Sequence, residues 1–305
     1  MESGVGKHVF PGLFATALSL ALLCASPAAA PREGLAAQHA AKNHSARWAP
    51  PDVDAPLASL ASTPPCSLPG VLEQAGERAA ELVGNLQNFT AREAVRYEQL
   101  DNLGAVLSAQ FGAFDYVVDF KSRGSGLSVD ETRKLIGGAG SPPGSVDDAG
   151  LPAIALIFLP AYQNDYDLRC EGLGQWSGQP AWVIHFQQRK GRPSRTRSFR
   201  TVDAVYPAKL KGRAWIASDS YQILHVETNL MQAVPLLQLR GEAVSIDYAP
   251  VQFHSQEVQL WLPRAAEVFS DFGERRFYVR HDFSDFQLFS VSAVQTVEKP
   301  KPSKP

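Results

Sequence analysis

The chain has 305 residues, with 29 Lys plus Arg against 31 Asp plus Glu and a formal net charge of −2. That balance argues against a nucleic-acid partner, because phosphate recognition calls for a cationic surface. No run after the first thirty residues approaches the roughly 20 apolar residues of a membrane helix; the best, 153–159, is far too short.

The chain opens with a short head bearing Lys7, the apolar run Leu13–Leu23, and then the small residues Ala25, Ser26, Ala28, Ala29 and Ala30. This pattern predicts a secretory signal peptide over residues 1–28 and a periplasmic or secreted mature chain. Ser26 and Ala28 fit the small-x-small cleavage rule; Ala28 and Ala30 also fit, but Pro31 would follow that cut. Cys24 raises lipid anchoring as an alternative, disfavoured by the bulky Leu23 before it. Residues 29–65 are rich in Ala, Pro and Ser without apolar period and predict a disordered linker. The mature part retains Cys66 and Cys170, and an even pair in an exported chain predicts one disulfide; two unrelated buried thiols are the alternative.

A helix is predicted from Ser67, with Val71, Leu72, Ala75, Ala79, Leu82, Val83 and Leu86 at helical spacing and a charged opposite face. Asn88-Phe89-Thr90 is a glycosylation sequon, meaningful only in a host that modifies asparagine. The period then becomes two. Phe114, Tyr116, Val118 and Phe120 form one alternating set, and Trp182, Ile184 and Phe186 another. Strands with the same rhythm are predicted at 223–230, 243–248 and 277–283. Short Gly-, Pro- and Ser-rich breaks such as Ser177-Gly178-Gln179-Pro180 and Lys190-Gly191-Arg192-Pro193 predict antiparallel hairpins. Residues 151–159 read as a short helix capped by Asp148 and ended near Pro160, apolar all round and therefore enclosed. The tail 297–305 alternates Lys and Pro and predicts extended, disordered chain.

One helix, many strands and a buried short helix define an α+β domain over 66–296. About 9–11 strands are too many for a flat sheet, so a strongly curved antiparallel sheet is expected, a half-open barrel with helices on its concave face.

At this point the chain resembles the periplasmic lipoprotein-carrier superfamily, with the LolA/LolB and RseB-like fold. The resembling segments are the helix from Ser67, the pair Gly212–Ile216 and Ser220–Glu227, and Leu260-Trp261-Leu262-Pro263 followed by Ala265-Ala266-Glu267. The resemblance implies that an N-terminal helix and short helices cap a half-open barrel. It implies nothing residue by residue about lipoprotein handling, since the family's dedicated residues have no counterpart here. The basic stretch 189–208 and the cysteine pair depart from the family pattern.

Motif searches for His-Glu-x-x-His, Cys-x-x-Cys, Gly-x-Ser-x-Gly, Ser-x-x-Lys and Walker loops find none, which favours a non-enzyme without cofactor or metal. His185 and His225 sit opposite the more apolar faces of their strands and are expected in solvent; His281 is read as satisfied or solvated rather than as a metal ligand with Asp282 and Asp285. The function expected is binding of an apolar ligand, a lipid or acyl chain, in the concave face. Ile154, Phe158, Trp182, Ile184 and Phe186 are the expected wall. The alternative is an interaction module of the cell envelope with a filled core, meeting a protein partner or an anionic membrane surface through Arg189, Lys190, Arg192, Arg195 and Arg197.

Overall fold

The computed structural model describes residues 48–57, 60–61, 64–85, 88–123, 126–140, 147–201, 203–253 and 257–289. Residues 1–28, expected to be a signal peptide, Cys24 and the tail 297–305 lie outside them.

Helix α1 (Leu68–Asn85) buries Val71, Ala75, Gly76 and Ala79, the stripe that its spacing predicts. The strands follow: β1 (Asn88–Leu100), β2 (Val106–Arg123), β3 (Gly126–Gly138), β4 (Asp147–Ala149), β5 (Tyr166–Trp176), β6 (Gln179–Gln188), β7 (Ser198–Arg200), β8 (Val205–Pro207), β9 (Leu210–Ala217), β10 (Ile223–Leu230), β11 (Gly241–Phe253), β12 (Val258–Asp271) and β13 (Arg276–Phe289). Ten of them make one antiparallel sheet in the order β3-β2-β1-β13-β12-β11-β10-β9-β6-β5. β3 and β5 are its two edges, so the sheet is open and does not close into a barrel. β4, β7 and β8 form a separate small sheet.

The inner face is one continuous apolar core. Phe89 and Tyr116 from one half of the sheet and Ile184, Phe186 and Ile216 from the other meet α1 and the 3₁₀ turn Ile154–Phe158 in a single cluster. Distant strands can share a thin layer of helix in this way only where the sheet bends around it. Residues 151–158 are all buried, as an all-apolar segment must be. Its start differs from the expectation: Asp148 lies in β4, paired with Phe199, and does not cap a helix. Its end differs too, because Pro160 opens a further turn, α2 (Pro160–Gln163), from the position where proline is tolerated.

The outer face is where the sequence misleads. The segment 48–61, read as linker, crosses this face as a strap in its described part. Val53 is completely buried, its N–H donating to Asn229 Oδ1 (3.0 Å), while Asn229 Nδ2 donates to Pro51 O (2.8 Å). Asp54 meets Lys211 and His185, and Arg213 donates to Ala55 O (3.0 Å). Leu57 and Leu60 pack on Ala181, Val183, Trp215 and Leu224. Ala61 then pairs with Leu173 on the edge strand through two main-chain hydrogen bonds (2.8 and 3.0 Å). The apolar and anchoring residues of the strap are single and irregularly spaced, so no period marks them.

The strap ends at Cys66, which bridges to Cys170 on β5 with Cα atoms 6.3 Å apart. The two cysteines are 104 residues apart in sequence. Replacing both by Ser is expected to cost about 3–5 kcal/mol of unfolding free energy in the chain-entropy model. Urea denaturation of the oxidised wild type against the double variant measures it.

Candidate functional site

Five residues were expected to form a hollow wall. Ile154, Phe158, Ile184 and Phe186 are instead fully buried and in contact with one another's surroundings, with Phe158 edge-on to Phe186 at 6.3 Å; Trp182 is half-buried against the same core. None of the five lines a described cleft. Beneath α1 the space left beside Ala155, Ile223, Tyr248 and Trp261 is about 30 Å³, room for a water molecule.

The larger opening on this side lies further along, between β3 and the excursion that joins β6 to β9. It measures about 270 Å³. One wall is apolar: Leu127, Val129, Ala153, Val205 and Pro207. The other carries Ser194, Arg195, Thr196, Arg197, Ser198 and Arg200. Gly150 closes the floor with φ +110°, and a Cβ there would stand 2.3 Å from Thr196 O, so the close approach requires glycine.

A buried polar chain holds the β3 side in place. Glu93, completely buried on the inner face of β1, accepts from Arg133 Nε (2.7 Å) and pairs with His281 Nδ1 (2.8 Å). Burial alone would raise the Glu93 carboxyl; the hydrogen bond and charge of His281, and then Arg133, outweigh it and hold the pKa below the ordinary carboxylate value. Arg133 lies 4.7 Å over the Tyr116 ring, Tyr116 Oη donates to Glu131 (2.6 Å), and Glu131 takes the N–H of Gly150. His281 is therefore satisfied by a partner 188 residues away, not by its neighbour Asp282. Among the described residues no group of three or more His, Cys, Asp and Glu side chains is arranged to hold a metal.

The five cations expected at a contact surface have different fates. Arg197 is 2% exposed and donates to both Glu242 oxygens (3.0 and 2.8 Å). It is a core ion pair and does not belong to a surface. Arg189 binds Asp167 (2.7 Å); Arg195 (3.4 Å) and Arg192 (3.9 Å) share Asp165. Lys190 remains exposed. Arg200, at the end of the same basic stretch, has a buried Nε with no hydrogen-bond partner.

His185 and His225 are buried, contrary to expectation, because the outer face is covered. The strap's Asp54 faces His185 at 3.2 Å. The His225 ring stacks on Trp176 at 3.5 Å and 14°, with Asp247 at 2.8 Å and Glu227 at 3.5 Å. A register shift between Ile223 and His225 sends Leu224 outward with it. Burial works against the charged imidazole, but the hydrogen bonds to Asp247 and Glu227 outweigh it and raise the His225 pKa above its ordinary value.

No protein-family model and no curated protein matches the sequence. Among solved structures, the chain is similar to a DUF1329 family protein from Desulfovibrio piger (9% identity, 74% of this chain and 94% of that one, TM-score 0.40). It is similar also to a putative outer membrane lipoprotein-sorting protein domain from Vibrio parahaemolyticus (13%, 75% and 93%, TM-score 0.35) and to a LolA superfamily protein from Nitrosomonas europaea (10%, 74% and 95%, TM-score 0.34).

Two outcomes follow from this geometry. Arg197→Ala takes from the buried Glu242 the guanidinium that meets both its oxygens and is expected to cost about 3–5 kcal/mol, whereas Arg197→Met with Glu242→Leu costs much less; chemical denaturation of the three proteins separates the cases. A raised His225 pKa contributes stability that is complete below the unfolded imidazole value and disappears as pH rises through the folded one. The stability gap between wild type and His225→Gln is therefore expected to be larger at acidic than at alkaline pH, read from urea midpoints across the range.

Proposed function

We propose that this is an exported, non-catalytic binding protein of the cell envelope whose ligand is amphipathic and anionic, a lipid or acyl chain with an acidic head. The observation that carries the reading is the division of the cleft of about 270 Å³ between an apolar wall at Leu127, Val129 and Ala153 and a cationic, hydroxyl-bearing wall at Ser198 and Arg200. The volume lies just under the range of about 300–1,000 Å³ typical of small-molecule sites, enough for a head and the start of a chain. Arg195 and Arg197 are already balanced by Asp165 and Glu242. Arg200 is the cation left to meet an acidic head, and an unpaired guanidinium at a partly dry wall gains from an incoming anion. Methylenes laid along Val129 add about 0.8 kcal/mol each. Periplasmic or secreted placement follows the signal-peptide pattern of residues 1–28 and is consistent with the Cys66–Cys170 bridge.

A second reading, an envelope interaction module, is favoured by the filled interior at Phe158 and Phe186. There Lys190 and Arg192 would meet an acidic protein partner, and no lipid would enter.

Native mass spectrometry of protein purified from its own envelope, with binding of a fluorescent fatty acid, decides between them. The first reading expects a co-purified amphiphile, about tenfold weaker fatty-acid binding in Arg200→Gln, and loss of binding when Val129→Trp fills the cleft. An empty protein that ignores the probe, with both variants equal to wild type, would refute it.

A further inference from the structure

The two edges of the large sheet differ. On β5 the strap's Ala61 takes up main-chain groups of Leu173, whereas among the described residues no strand pairs with the outer side of β3. The phase of that open edge is fixed at its start. Tyr162 Oη accepts the N–H of Leu127 (2.9 Å) and donates to its C=O (3.2 Å), so both main-chain groups of Leu127 turn away from β2. Along an antiparallel strand these groups alternate sides. The register with β2 is unbroken from Leu127 to Leu135, so Val129, Glu131, Arg133 and Leu135 also present their N–H and C=O at the edge. Leu135 and Ile136 are 46% and 42% exposed. An edge of this kind is a template for another strand.

The order of residues on β3 says which strand. Its middle reads Val129-Asp130-Glu131-Thr132-Arg133-Lys134-Leu135, with acids before Thr132 and bases after it. Laid antiparallel to itself about Thr132, the strand sets Asp130 opposite Lys134, Glu131 opposite Arg133 and Val129 opposite Leu135. Moving the centre one residue either way sets Val129 opposite Arg133 or Glu131 opposite Leu135, an apolar side chain against a charge. The centre at Thr132 also respects the phase: the 129–135 and 131–133 pairs exchange main-chain hydrogen bonds, and Thr132 meets its own copy in a non-hydrogen-bonded pair. Glu131 and Arg133 are already engaged inside the chain by Tyr116 and Glu93, so at the seam they need only face unlike charge. Asp130 and Lys134 stand on the opposite face. There Lys121 serves two carboxylates, Asp119 (3.0 Å) and Asp130 (3.1 Å), and Lys134 is exposed. Lys134 of a second copy gives Asp130 a further cation.

We propose that two copies of this protein pair through β3, antiparallel about a two-fold axis at Thr132, and join their large sheets into one. An unrelated strand could satisfy the main chain equally well, but the mirrored order of charges on β3 is complementary to itself. The seam passes beside the cleft, because Val129 lines that cleft and faces Leu135 of the second copy. The inference does not rest on the ligand proposed there.

The test uses the full chain with Cys24→Ser. Sedimentation equilibrium is expected to show a mass that rises with concentration toward twice that of the monomer. Lys134→Glu sets two carboxylates against each other at the seam, and Asp130→Lys sets two ammoniums; each alone is expected to weaken the dimer about tenfold. An equimolar mixture of the two variants is expected to dimerise again, because every 130–134 pair of the mixed dimer then joins unlike charges. Thr132→Cys places its Cα about 4.5 Å from that of its copy and is expected to cross-link under mild oxidation, while Lys134→Cys, which faces Asp130, does not. A monomer at every concentration, a dimer that neither reversal weakens, or variants of wild-type unfolding midpoint that stay monomeric when mixed overturn the proposal. So does a dimer in which Thr132→Cys fails to cross-link; this arm decides the case should a charge reversal unfold the chain.

Discussion

At Cys66 the chain changes sides of the sheet. Before it, the strap covers the outer face; after it, α1 covers the inner one. The bond to Cys170 fixes that crossing on the edge strand β5. A sheet that is apolar on part of both faces is stable only if both are covered; here the chain before the first strand supplies the strap for one face and α1 for the other, and the 3₁₀ turn Ile154–Phe158 completes the inner cover. The edge is protected by the same device, because Ala61 occupies main-chain groups of Leu173 that would otherwise be free to pair elsewhere.

Covering both faces explains why so many charged groups are buried. His185, Arg213 and His225 stand on the outer side and would be solvated without the strap and Trp176. Glu93 and Arg133 meet on the inner side, on β1 and the edge strand β3. Each has a partner, since a buried ion without one would cost several kcal/mol. Arg197 and Glu242 follow the same rule. Pairing inside the fold takes up these charges, whereas Arg200 at the cleft keeps a buried Nε without a hydrogen-bond partner.

Packing of the 3₁₀ turn against Phe186 fills the centre of the bend, and the cleft of about 270 Å³ lies beyond that plug, between β3 and the excursion. The polar chain from Glu93 to Gly150 holds one lip of the opening rigid.

Much of this was legible in the residues. Period-two runs gave an antiparallel sheet of about the right strand number, the spacing of Val71, Ala75 and Ala79 gave α1, and the all-apolar run 151–159 had to be enclosed. The cysteine pair followed from export and parity. These are local signals, carried by neighbours in sequence. Three strands of the large sheet were missed for the same reason: β1 mixes Arg92, Glu93, Arg96 and Glu98 into its alternation, β3 begins and ends in glycine, and β5 carries Gly172 and Gly174. What the sequence could not contain was the pairing of sites far apart. That Glu93 meets His281, that Arg197 meets Glu242, and that residues 48–61 find grooves 110 or more positions away depend on which strands become neighbours, and no local pattern encodes that. Apolar side chains looked like the wall of a cavity because a filled core and a hollow one use the same residues; only the placement of the 3₁₀ turn against the sheet decided which it was.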